Sequence, residues 1–145
     1  MSETPEQLDL FCRKNLNSLA KVKAAMSRAV KDSGLSRDQL LDCLVDLARA
    51  EGISFRAGNG FMSTFEKWLN PSDRDHVMPL KLLTVFCAAT GDLRPIAALA
   101  WPLDGDVIGS KEKALLSLGR AAVEKKRVAQ LARQAEEEAR EQGLL

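Results

Sequence analysis

Apolar side chains recur every three or four residues through much of this chain, which is the spacing of one face of an α-helix. Two clear stripes are Leu19, Val22, Met26, Val30 and Phe61, Phe65, Trp68, Leu69. Tyrosine is absent, and Ala, Leu, Lys, Arg, Glu and Gln, which favour helices, dominate the composition. The pattern predicts an all-α protein.

Glycines and capping residues divide this pattern into separate helices. Gly34 follows the first stripe and is a left-handed helix stop. Ser36, with Gln39 three residues later, has the spacing of a capping box at the start of a second helix. That helix is expected to run to about Glu51, and a loop with two glycines follows it. Asn59 is the expected cap of the third helix.

The remaining signals predict two further short helices and a long one. Pro79 marks the start of the fourth helix, and Trp101-Pro102 ends the fifth. Asp104-Gly105 is compatible with the turn of a very short hairpin, and Ser110 is a candidate cap for the last helix. We therefore expect a short N-terminal helix in residues 1–17, a globular domain in 18–109 and a helical tail in 110–145.

The tail, residues 111–142, is helical by composition, with eight basic and six acidic residues. Its apolar stripe is thin, heptad-like and weak. Residues that we expect to mediate oligomerisation are Leu115, Leu118, Val128, Leu131 and Ala135. Such a helix pairs with a copy of itself, lies on the globular part, or protrudes into solvent. Self-association is the preferred hypothesis.

Cysteine and histidine usage gives no support for a metal centre. Cys12, Cys43 and Cys87 are scattered, none has CxxC spacing, and His76 is the one histidine. We expect reduced thiols, no metal and no cofactor. Asp75-His76 resembles part of a catalytic dyad, but a hydrogen bond that fixes the loop is the simpler interpretation. We expect no enzymatic activity and no small-molecule substrate.

The chain is neither strongly charged overall nor strongly hydrophobic. The formal net charge is +1, although many DNA-binding domains are strongly basic. The charges are uneven, because the span from Arg13 to Lys31 has six basic residues, including Lys23, and no acid. That run borders a phosphate backbone or forms a solvated helix face. An acidic N-terminus and the lack of a long apolar run predict a cytoplasmic protein without membrane contact.

The order of motifs in the middle of the chain resembles the lambda-repressor-like helix-turn-helix fold, and more closely the small regulators of Mu-like phages and the phage regulatory protein CII family. The segments that carry the resemblance are Gly34-Leu35-Ser36-Arg37-Asp38-Gln39-Leu40, Trp68-Leu69-Asn70-Pro71 with Asp75-His76, Pro79-Leu80 and Ala89-Thr90-Gly91-Asp92. The resemblance implies a domain that binds double-stranded DNA. One departure is the segment from Gly52 to Asn59, which is longer than the usual tight turn.

Candidate DNA contacts follow from the third helix and from the resemblance. With its aromatic stripe buried, this helix turns Ser63, Thr64 and Lys67 outward, and such side chains bond base edges or phosphates. Arg56 and Asn59 lie at its N-terminal approach. The resemblance places Arg37 and Gln39 at the phosphate backbone, and Arg74, which follows the third helix, is expected to clamp the same DNA strand.

These expectations combine into a sequence-specific transcriptional regulator of phage or prophage origin, acting in the bacterial cytoplasm as a dimer or larger homo-oligomer. Two alternatives stay open. One is a structural phage component, such as a small terminase-like DNA-binding subunit. The other is a helical protein-interaction adaptor that uses the tail.

Overall fold

A computed structural model of the protein describes residues 16–144, and this part of the chain is helical and contains no strand. Its elements are α1 (Leu19–Asp32), α2 (Arg37–Ala50), α3 (Phe61–Leu69), α4 (Leu80–Thr90), α5 (Arg94–Ala100), a 3-10 turn (Trp101–Leu103) and α6 (Ser110–Glu141). The all-α prediction is confirmed. The short helix expected in residues 1–17 lies almost wholly outside the described residues.

The hairpin considered at Asp104-Gly105 is wrong. The chain there leaves the 3-10 turn through Asp104, which takes the left-handed conformation with φ 58°. The NH of Gly105 donates back to the carbonyl of Ala100 at 3.1 Å. These two features end a helix. The segment pairs with no strand within residues 16–144.

The chain divides into two compact units, Met1–Val107 and Ile108–Leu145. In the first unit α1 packs on α5, α2 packs on α4, and α3 packs on both α1 and α2. The centre of this unit is apolar and fully buried, with Leu40 and Leu44 from α2, Phe65 from α3 and Phe86 from α4. The Phe65 and Phe86 ring centroids lie 6.4 Å apart.

The capping box at the start of α2 is confirmed. The Ser36 hydroxyl accepts a hydrogen bond from the NH of Gln39 at 3.1 Å, and the Gln39 side-chain oxygen accepts one from the NH of Ser36 at 3.0 Å. At the other end, Gly52 has φ +67°, and the NH of Ile53 reaches the carbonyl of Ala48 at 2.8 Å. A glycine suits this left-handed stop because it has no Cβ to clash.

Replacing Ser36 with alanine should therefore lower the free energy of unfolding by about 1 kcal/mol. The change removes the side-chain acceptor for the NH of Gln39 and leaves the reciprocal half of the box. Urea unfolding followed by circular dichroism measures the loss, with Ser117→Ala on the exposed α6 as the control. Equal midpoints for the two variants would show that the hydrogen bond to the Ser36 hydroxyl contributes nothing.

Two other predicted caps are wrong. The residue before α3 is Gly60, with φ 85°, and no side chain caps that helix. Asn59 is one position too early, since the backbone turns through the left-handed glycine before the helix begins. Similarly, Gly109 precedes α6 and makes no side-chain cap, and Ser110 is already the first helical residue.

The helix α6 has 32 residues, and none of them is buried. At 1.5 Å per residue it is roughly 48 Å long. Its larger apolar side chains are exposed, including Leu115 and Leu118 at 67% each.

Candidate nucleic-acid surface

The two faces of α3 differ as its residue spacing predicts, except that Phe61 and Thr64 are both half-buried. Phe65, Trp68 and Leu69 are buried, whereas Ser63 and Lys67 are exposed and Thr64 is half-buried. Trp68 also meets the ring of the half-buried Phe61 edge-on, with 5.5 Å between centroids. The polar side of the helix is therefore presented on a rigid aromatic support.

The C-terminal end of α3 is tied to α1 by two side chains. The ammonium group of Lys23 donates to the carbonyl of Lys67 at 3.0 Å, and the Ser27 hydroxyl donates to the carbonyl of Leu69 at 2.5 Å. Carbonyls in the last turn of a helix have no partner within the helix, so these donors satisfy them. Lys23 is 1% exposed. It therefore does not belong to a basic surface along α1. The expectation that Lys23 faces solvent or a phosphate backbone is wrong.

The loop after α3 is held by the same lysine and by an aspartate. Lys23 also donates to the carbonyl of Asp73. The Asp73 carboxylate accepts hydrogen bonds from the NH groups of Asp75 and His76 and from the His76 ring nitrogen Nδ1 at 3.0 Å. Partial burial alone would raise the pKa of the Asp73 carboxyl, but these hydrogen bonds lower it to about 2. The side-chain partner of His76 is thus Asp73, not Asp75, and the pair fixes the loop that presents Arg74.

The loop between α2 and α3 folds back on the start of α3. The Phe55 ring lies 5.6 Å from that of Phe61, centroid to centroid, and Lys81 of α4 donates to the carbonyl of Ser54. A cleft of about 340 Å³ lies here, and its walls include Arg56, Thr64 and Lys81. The structure thus brings two predicted site residues together with a lysine that sequence analysis missed. No periodicity or motif marks Lys81, because only the packing of α4 places it beside the loop.

Arg37 and Gln39 both have partners within the domain. The Arg37 guanidinium forms an ion pair with Glu66 of α3 at 2.9 Å, and both side chains are 51% exposed. The side-chain oxygen of Gln39 is used in the capping box, and its amide NH₂ group carries two further donors. Arg37 therefore stands beside the polar face of α3, held there by an acid that the sequence did not connect to it.

Asn59 and Arg74 are exposed on either side of α3, Asn59 before its first residue and Arg74 beyond its last. The connection between α2 and α3 spans residues 51–60. It is longer than the turn of about four residues in helix-turn-helix motifs. Because α2 continues to Ala50, the extra length belongs to the loop and does not come from early fraying of the helix.

Within residues 16–144 there is no group of three or more His, Cys, Asp or Glu side chains that could hold a metal ion. Nor does this part of the chain contain a helix with the length and apolarity needed to cross a membrane. Comparisons with protein families, with curated proteins and with solved structures gave no match.

Proposed function

We propose that this protein binds specific double-stranded DNA through the polar face of α3 and regulates transcription as a homo-oligomer. The observation that carries the proposal is the position of Ser63, Thr64 and Lys67 on the polar side of a helix whose aromatic side is buried and whose C-terminal end is tied to α1. Base recognition needs short polar side chains on such a rigid element. The resemblance to phage regulators supports transcription as the process.

Cations at the edges of this face supply phosphate contacts in the proposal. Arg56 and Lys81 line the cleft beside Thr64, and Arg37 of α2 lies beside Glu66 of α3. Arg74 follows α3 on the anchored loop. Guanidinium groups bind phosphate oxygens through paired hydrogen bonds, which fixes the register of a protein on the duplex. A neutral total charge is compatible with this role, because the local field acts on the DNA.

The test is selection of bound duplexes from a random pool by the intact protein, combined with its mass in solution. An enriched motif with a dimer or small oligomer supports an operator-binding regulator. A large closed ring with little sequence preference would instead indicate the terminase-like alternative. A lack of any DNA binding at low salt would contradict the proposal and favour the adaptor.

Glu66 is the acidic residue on this face, so its removal should strengthen DNA binding. Glu66→Gln releases Arg37 from its ion pair and removes repulsion from phosphate. We expect random duplex to bind about 3- to 10-fold more tightly at low salt, with a steeper salt dependence by about one contact. Fluorescence anisotropy across a salt series measures both quantities.

The control for this change is Asp46→Asn, which removes one negative charge from an exposed position of α2. It should change the affinity less than Glu66→Gln does. Equal gains from the two variants would mean that net charge, not the α3 face, governs binding.

A further inference from the structure

The middle of α6 has an exposed apolar stripe with a defined centre. Val128, Leu131, Ala132 and Ala135 recur at helical spacing, and Val128 and Leu131 are 55% and 53% exposed. No residue of α6 from Ser110 to Glu141 is buried. The stripe is too thin for apolar area alone to choose a partner, so the flanking charges decide which partner fits.

Charges are placed symmetrically on both sides of this stripe. Lys125 and Arg127 precede it, and Glu136 and Glu138 follow it. Each basic residue is eleven positions before an acidic one, which is close to three full helical turns. Lys125 and Glu136 therefore lie along one edge of the stripe, and Arg127 and Glu138 lie along the other.

These opposite charges cannot meet within one helix. Eleven residues span roughly 16 Å along the axis, which is far beyond the reach of an ion pair. In the described chain, Arg127 pairs with Glu124 at 2.9 Å, and no ion pair joins the basic and acidic residues that flank the stripe. The acidic residues that follow the stripe are therefore out of reach of the basic residues that precede it on the same helix.

A second copy of the same helix supplies that charge in one orientation. In an antiparallel pair each edge of a helix faces the same edge of its partner, running in reverse. If the two helices cross between Leu131 and Ala132, Lys125 faces the partner's Glu136 and Arg127 faces the partner's Glu138. In a parallel pair each edge would face the opposite edge of the partner, so Lys125 would lie near the partner's Arg127 and Glu136 near the partner's Glu138, and like charges would repel.

We propose that α6 pairs antiparallel with α6 of a second copy, centred between Leu131 and Ala132. This inference rests on the assembly part of the proposed function and gives it a geometry. The two Ser110 residues then lie beyond opposite ends of the paired region.

Charge reversal in the full-length protein tests the orientation. At low salt, Glu136→Lys with Glu138→Lys should raise the dimer dissociation constant at least about tenfold, because four attractive pairs become repulsive. Adding Lys125→Glu and Arg127→Glu should return it to within about threefold of the original. Sedimentation equilibrium measures these constants, and circular dichroism checks that α6 remains helical.

The matched control is Glu137→Lys with Glu141→Lys, which changes the charge equally on the opposite side of α6. It should leave the constant within about threefold. Equal weakening by the two double variants would overturn the antiparallel arrangement. A monomeric unmodified protein would overturn it together with the assembly part of the proposed function, while DNA binding by the globular unit would still be judged by its own experiment.

Spin-label distances test the centre of the pair directly. Labels are placed at Lys113→Cys and, separately, at Gln130→Cys, with Cys12 and Cys43 changed to serine. Burial raises the pKa of the Cys87 thiol, which keeps that residue unreactive toward the label. The proposal predicts roughly 55 Å between labels at 113 and less than roughly 30 Å at 130. Short distances at both positions, about 40 Å at 113, or no measurable pairing would each overturn it.

Discussion

Replacing Lys23 with methionine is expected to lower the free energy of unfolding of the globular unit by about 2 kcal/mol. The Lys23 ammonium group is buried and donates to the carbonyls of Lys67 and Asp73. Methionine fills similar space and leaves both acceptors without this donor. Relief from burying a charge offsets part of the loss, which is why the expected value lies below the sum of two charge-assisted hydrogen bonds.

A thermal melt shows this effect as a fall in Tm of roughly 10 °C for a domain of this size. Lys31→Met, at an exposed position of the same helix, is the matched control and should stay within about 0.5 kcal/mol of the unmodified protein. Amide exchange should also rise in the loop that contains Asp73 and Arg74, since one of its anchors is gone. If the Lys23 variant proved as stable as the control, desolvation of the amine would equal or exceed its hydrogen bonding.

The place of Lys23 marks one limit of sequence interpretation. Its position falls inside the stripe of Val22 and Met26, so helical spacing alone puts it on the inner face. Residue chemistry suggested a solvated or phosphate-facing lysine instead. The acceptors that make its burial tolerable are carbonyls 44 and 50 residues away, and backbone carbonyls leave no trace in a sequence.

Local signals were sufficient for the helices and several of their ends. The capping box of Ser36 and Gln39 depends on residues three positions apart, and the apolar periodicity predicted which side of α3 is buried. Two missed contacts depend on distant segments. Glu66 meets Arg37 across two helices, and Lys81 reaches the loop beside Arg56 only because α4 packs there. The hairpin prediction and the Asn59 cap prediction failed where a left-handed residue ended or preceded a helix, as at Asp104 and Gly60.

The proposed DNA surface leads to the second large effect. Changing Ser63, Thr64 and Lys67 together to alanine should weaken binding to the selected site by about 2–4 kcal/mol, or roughly 30- to 1,000-fold. The three side chains would supply base-edge contacts, and their replacement by alanine would leave the hydrogen-bonding groups of those base edges unpaired. Alanine is the best helix former, so α3 itself should persist.

The loss of affinity for the selected site is compared with the loss for random duplex. Random duplex should lose only about 3- to 10-fold in affinity, because Lys67 is the one charge removed and phosphate contacts from Arg37, Arg56 and Arg74 remain in the proposal. Lys31→Ala, which removes one charge from α1, should change specific and random binding by the same small factor. Anisotropy titrations on both duplexes at fixed salt provide the ratio. If the triple variant weakened specific and random binding equally, α3 would contribute charge without base recognition, and the specificity of the protein would have to reside on another element.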